Sequence, residues 1–213
     1  RDQGLMKICE NNTKLSFTRK TNQENTVSAL SSLKAELSIT GEIKFVESYD
    51  ISHHSGAAAV GGCVIFSDKG KLKEQYKLFN ISKKNSGDDI SSMVEVIERR
   101  FKSEHLDLQN PDLIILDGGK VHLSFVVRKL KELGLDKIPV IAISKGARRK
   151  ADMDIVHTQD GESTIKRGSL AHKFIQEIRD ETHRFSISNQ KKKLNKSFLY
   201  SSLDTIEGVG EKR

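Results

Sequence analysis

The apolar positions along the chain change rhythm several times, and each rhythm predicts an element. Residues 1–40 are polar and rich in Asn, Thr, Ser and Lys. Leu30, Leu33 and Leu37 recur there at helical spacing, but the segment has little to bury on its own. Residues 1–41 therefore read as a partly helical upstream arm. From Glu42 the texture changes. Ile43-Lys44-Phe45-Val46-Glu47-Ser48-Tyr49 reads as a strand, Ala57 to Phe66 as a second with Gly61-Gly62 inside it, and Leu72 to Ile81 as a third, alternating apolar and polar. Ser67-Asp68-Lys69-Gly70 between the last two is a hairpin signal. Asp88-Asp89 opens a helix carrying Ile90, Met93, Val94, Ile97 and Phe101, with its acids where the helix dipole favours them. Leu113 to Leu116 is a buried strand ending at Asp117-Gly118-Gly119. A helix follows to Gly134, and Ile138 to Ile143 is another buried strand. Residues 144–168 carry only a weak strand signal at Ile155-Val156, and a helix runs from about Ser169 to Phe185.

The order is βββαβαβ…α. A three-stranded meander feeding αβαβ crossovers predicts an α/β, ribonuclease-H-like mixed sheet flanked by helices, placed at residues 42–187. Residues 188–200 contain Lys191, Lys192, Lys193 and Lys196 and no acid, and read as a basic linker. Residues 201–213 look like the truncated start of a helix-hairpin-helix, with Gly208-Val209-Gly210 as its turn.

Composition narrows the class. Hydrophobic residues are 36% and charged residues 31% of the 213, and apolar runs recur, so disorder throughout is excluded. No apolar stretch approaches the roughly 18 residues of a spanning helix. There is no secretory leader and the chain begins at Arg1, so it reads as a fragment of a longer cytoplasmic protein. Cys9 and Cys63 suggest neither a disulfide framework nor a zinc site. A net charge of +7 and a pI near 9.3 favour a polyanionic partner, although basic surfaces are common without one.

The candidate chemistry lies at strand ends. Asp50 closes the first strand and Asp117 the fourth, and α/β sheets gather ligands at the carboxyl ends of strands. If those strands are neighbours, the carboxylates converge and need a cation between them; hard oxygen ligands suit Mg²⁺ or Mn²⁺. Such an ion can activate water toward a phosphodiester. Strand-end aspartates also serve simply as turn and cap residues. His172, Gln176, Arg179 and His183 share one side of the last helix, where the His183 imidazole is able to ligate metal or transfer a proton. Asp88 and Asp89 are either a further carboxylate source or plain helix caps. Lys145, Arg148, Arg149 and Lys150 follow a strand end and, with Lys120, Lys191, Lys192 and Lys193, are candidate phosphate contacts, a solvated basic surface being the plain alternative. Gly208 and Gly210 would offer backbone N–H groups to a phosphate.

Several motifs in order carry a resemblance. Tyr49-Asp50-Ile51-Ser52-His53 with Ser55-Gly56, Gly87-Asp88-Asp89, Leu116-Asp117-Gly118-Gly119-Lys120 and Ile178-Arg179-Asp180-Glu181-Thr182-His183-Arg184-Phe185 resemble the C-terminal half of the UvrC family, the nuclease subunits of the bacterial UvrABC excision-repair system. The likeness runs from about residue 44 to the end. It implies a ribonuclease-H-like endonuclease with an Asp-Asp-His set carried over to Asp50, Asp117 and His183, and an additional functional aspartate at Asp89. It also implies a metal-dependent cut 5′ of a lesion in damaged double-stranded DNA, in partnership with UvrB and, upstream, UvrA. The family usually has Gly where this chain has Val121; the basic loop keeps Lys145-Gly146 and Arg149-Lys150. A rival reading is a ribonuclease-H-like scaffold that grips DNA without cutting. A third is a nuclease of the same fold acting on RNA–DNA hybrids or junctions, but such enzymes usually use an all-carboxylate set.

Overall fold

The computed structural model describes residues 2–54, 57–102, 109–145 and 154–203. After a long helix α1 (Asp2–Glu36), the chain lays down β1 (Phe45–His54), β2 (Ala57–Ser67), β3 (Gly70–Lys71) and β4 (Lys77–Asn80). Then come α2 (Asp89–Lys102), β5 (Leu113–Asp117), α3 (Lys120–Glu132), β6 (Val140–Lys145), β7 (Asp154–Thr158), β8 (Gly161–Thr164) and α4 (Leu170–Leu203). The sheet order is β3-β2-β1-β5-β6-β7-β8, with β4 also paired to β2. β2 runs antiparallel to β1, whereas β5 and β6 are parallel to it. This is the mixed sheet the meander-plus-crossover pattern predicts.

Strand alternation splits the core into two layers. Ile114 and Leu116 face α2 and α3, packing with Met93, Val96, Ile97, Leu123, Val126 and Leu130. Leu113 and Ile115 face the other way, against Phe174, Ile175 and Ile178 of α4 and Leu30 and Leu33 of α1. The Leu113, Ile114, Ile115 and Leu116 side chains are all fully buried, each contributing roughly 1.5–3 kcal/mol relative to an exposed position. Two glycines let the helices close on the sheet. A Cβ at Gly61 would collide with Val96 of α2, and one at Gly62 with Ser186 of α4. Asp112, just before β5, accepts the backbone N–H groups of Lys44 (2.8 Å) and Phe45 (2.9 Å), which pins the start of β1 beside β5.

Several details differ from the sequence expectation. Of the third strand expected from Leu72 to Ile81, only β4 (Lys77–Asn80) forms; its first part is a single 3-10 turn at Lys73–Gln75, where three consecutive polar residues offer the sheet no apolar side chain, and the short β3 begins earlier, at Gly70. β8 is an extra strand, joined to β7 by a tight turn in which Thr158 pairs with Gly161. The end of α1 docks: Leu33 is fully buried, and Glu36 accepts the Lys166 backbone N–H at 2.8 Å. Residues 188–203, read above as a linker and the start of a hairpin module, continue α4 as helix. The rest of the expected hairpin module, including Gly208 and Gly210, lies outside the described residues. Among the described residues no helix is long and apolar enough to cross a membrane.

Candidate active site

Asp50 and Asp117 meet because β1 and β5 are parallel and in register. Tyr49 lies opposite Leu116, so the next residue on each strand is an aspartate. Alternation then aims both: Asp117 follows Leu113 and Ile115, and Asp50 follows Val46, toward the α4 layer. Asp117 closes β5 as expected. Asp50 does not close β1; it lies within the strand, which runs on to His54 in its hairpin with β2. The partner strand β5 is the one that stops, leaving the Asp50 side chain at the rim of a cleft.

The third donor comes from α4. His183 Nδ1 lies 3.4 Å from Asp50 Oδ2, and one ligand atom from each of Asp50, Asp117 and His183 falls within 4.8 Å of the others. Asp50 is buried, Asp117 half-buried and His183 exposed, so the trio is open on one side. One helical turn before His183, Arg179 Nε stands 3.6 Å from Asp117 Oδ1. A cleft of about 390 Å³ beside them is lined by Asp50, Asp117 and Arg179 together with Asp89, His122 and Ser144.

The electrostatics call for a cation. Burial pushes the Asp50 carboxyl up from its ordinary range, and the neighbouring Asp117 pushes it further, while His183 opposes both. Two converging carboxylates and an imidazole, one carboxylate being costly to ionise, fit a hard divalent cation. The raised value also fixes a pH dependence. The penalty for charging Asp50 is absent below its unfolded value of about 3.9 and grows as pH rises through the higher folded value. Asp50→Asn is therefore expected to raise the thermal midpoint of the metal-free chain near pH 7 and to leave it unchanged near pH 3. If a divalent cation binds here, the same substitution should remove the stabilisation it would give the unsubstituted chain. Calorimetry at both pH values, with and without Mg²⁺, reads this directly; an equal shift at both would contradict it.

The two acids at the start of α2 divide the roles expected of them. Asp88 is a cap: its carboxylate accepts the Ile90 N–H at 3.0 Å and the Ser91 hydroxyl, which hold its pKa low. Asp89 instead lines the cleft and pairs with His53. Of the basic candidates, Lys120 is exposed at the start of α3, and Lys191 and Lys192 are exposed on α4. Lys193 donates to Asn80 Oδ1 at 2.8 Å. Lys145 ends β6, and Arg148, Arg149 and Lys150 lie outside the described residues. Sequence reasoning gave no role to His122, whose Nδ1 accepts the Gly119 N–H at 3.4 Å, or to the Ser144–His157 hydrogen bond of 2.8 Å beside the cleft. His53 stood inside the quoted YDISH motif, which was its only signal.

The sequence profile of the UvrC RNase H endonuclease domain matches residues 34–187. The chain belongs to the UvrC RNase H endonuclease domain family. It is 38% identical over 212 residues to the UvrABC system protein C of Legionella pneumophila (strain Paris), covering 98% of this chain and 34% of that protein. It is 38% identical over 194 residues to that of Saccharophagus degradans (90% and 32%), and 39% identical over 178 residues to that of Haemophilus influenzae (81% and 29%). The chain thus spans about a third of the length of the curated relatives it matches. The match starts within α1, at residue 34, just after the buried Leu33 and two residues before Glu36. The likeness carried by the YDISH, LDGGK and IRDETHRF motifs is to this family, and the divalent-metal requirement of a ribonuclease-H-like nuclease agrees with the donor set.

Proposed function

We propose that this domain is the Mg²⁺- or Mn²⁺-dependent DNA endonuclease that cuts 5′ of a lesion in nucleotide-excision repair, acting in the cytoplasm with UvrB after UvrA has loaded it. The observation that carries the reading is the convergence of Asp50, Asp117 and His183, with both carboxylates in the lining of an open cleft. These three side chains would hold the ion. When bound, such an ion supplies an activated water and stabilises charge on the phosphodiester under attack. The chain does the rest. β1 and β5 fix the carboxylates on rigid strands, and α4 sets His183 at the exposed side, with its Nδ1 facing Asp50 as the third donor to the ion. Asp89 adds a carboxylate to the cleft wall, oriented by His53. Lys120, Lys145, Arg148, Arg149 and Lys150 would hold the DNA backbone near the cut, with Lys191, Lys192 and Lys193 along α4 and the backbone of Gly208 and Gly210 beyond it.

The test is a pre-nicked, lesion-bearing duplex incubated with the chain, UvrA and UvrB, with and without Mg²⁺ or Mn²⁺. Metal-dependent cutting 5′ of the lesion, lost in His183→Ala, is expected. Salt-sensitive binding without any cutting would favour the rival scaffold reading.

A further inference from the structure

Arg179 belongs neither to the trio nor to the basic loop, yet it is built into the same geometry. α4 presents Arg179 and His183 one turn apart on one side, and each faces one of the two aspartates. His183 Nδ1 is 3.4 Å from Asp50 Oδ2, and Arg179 Nε is 3.6 Å from Asp117 Oδ1. The Arg179–Asp117 separation exceeds the ~2.7–3.2 Å of an N–H···O hydrogen bond, so the pair is an electrostatic contact rather than a locked fork. The Arg179 side chain is 15% exposed and lines the cleft.

A purely structural ion pair is the plain alternative. The docking of α4 does not call for one at this point, because Ala171, Phe174, Ile175 and Ile178 already bury its apolar side against the sheet. What does call for a cation is the carboxylate pair. In the absence of a divalent ion, Arg179 is the positive charge set against Asp117. Once Asp117 serves such an ion, the guanidinium has less hold on it and stands in the lining of the open cleft. Its planar set of N–H donors matches phosphate oxygens.

We propose that Arg179 has two successive partners: it is the counter-cation of Asp117 before metal binds, and it becomes the phosphate clamp of the cleft once the ion is in place. This inference rests on the metal-nuclease reading above, and its test separates the two. The full chain is titrated with Mn²⁺ alone, following the free ion by electron paramagnetic resonance, for the unsubstituted protein, Arg179→Gln, Arg179→Lys and Asp117→Asn. DNA cutting by each is then measured at saturating Mn²⁺. Arg179→Gln removes a competitor, so it should bind Mn²⁺ about fivefold more tightly, the ceiling for a partly exposed ion pair. The same variant should cut about a hundredfold more slowly, as expected for loss of one preorganised donor to the reacting group. Arg179→Lys should return Mn²⁺ affinity to the unsubstituted level and recover part of the cutting.

Opposite signs for metal affinity and rate in one variant are the signature. If Arg179→Gln weakens Mn²⁺ binding and cutting together, Arg179 merely positions Asp117, and the proposal is overturned. No change in either quantity overturns it too. If Asp117→Asn leaves Mn²⁺ binding untouched, the metal reading itself fails, whatever Arg179 does.

Discussion

Asp117→Asn is expected to abolish phosphodiester cutting while leaving DNA affinity intact or higher. On the proposed reading, the substitution removes a metal-ligating oxygen and a negative charge at the place where the DNA backbone would come closest. Metal-assisted charge stabilisation is worth several kcal/mol in the transition state, so the rate should fall by about a thousandfold or more. Binding moves the other way, because the cleft loses a charge that repels phosphate and Arg179 loses the carboxylate it faces. The fold should survive. Asp117 is the half-buried last residue of β5, and the burial that holds this strand comes from Leu113, Ile114, Ile115 and Leu116. Single-turnover cutting and fluorescence anisotropy on the same duplex separate the two effects. Undiminished cutting would remove Asp117 from the metal site.

The largest effect on stability is expected on the opposite face of the sheet. Arg100→Ala should destabilise the chain by about 3–5 kcal/mol, the usual cost of leaving one member of a buried ion pair uncompensated. Glu47 on β1 is 1% exposed and Arg100 on α2 is 3% exposed. The guanidinium donates to Glu47 Oε1 through Nε (3.0 Å) and Nη2 (2.7 Å), and also through Nη2 to the Gln109 carbonyl (2.9 Å). The Tyr49 hydroxyl donates to the other Glu47 oxygen. Burial pushes the Glu47 carboxyl up and Arg100 pulls it back, so without the guanidinium only the upward push and the Tyr49 bond remain. A carboxyl raised in the folded state weakens the fold increasingly as pH rises through its folded value. The deficit of Arg100→Ala should therefore shrink on acidification. Chemical unfolding near pH 7 and near pH 5 measures this, and a loss below about 1 kcal/mol at the higher pH would contradict it. Replacing both partners with apolar residues of similar volume should recover much of the loss.

What was legible in the sequence follows from where apolar side chains do the folding. β5 and β6 are short apolar runs buried on both faces, and α2 and α3 carry clear apolar stripes, so their order and the sheet they build could be read directly. β8 has almost no buried side chain; only the Asp160-Gly161 turn marked it. The extension of α4 past Phe185 is held by polar contacts. The Ser52 hydroxyl donates to Gln190, whose side-chain N–H donates back to the Ser52 carbonyl at 3.1 Å, and hydrophobic periodicity cannot show such a contact. The same holds for the end of α1, whose burial of Leu30 and Leu33 depends on an α4 face more than a hundred residues away in the chain.

At the site, the motifs pointed to Asp50, Asp117 and His183, and the register of β1 on β5 brings the aspartates together with α4 closing over them. That Asp50 sits mid-strand was hidden, because the hairpin beyond it at residues 51–54 is not apolar enough to look like sheet. Arg179 was visible as a residue on the same helical side as His183 and within the same quoted motif, with no role attached. Its pairing with Asp117 depends on how α4 crosses β5, which local sequence does not encode.

The central claim is that these three side chains hold one divalent ion. Crystals of the chain soaked in Mn²⁺, with diffraction recorded on both sides of the manganese absorption edge, test it most directly. An anomalous peak bounded by Asp50, Asp117 and His183, which disappears in Asp117→Asn, is expected. A peak elsewhere, or none at concentrations that support cutting, would contradict it.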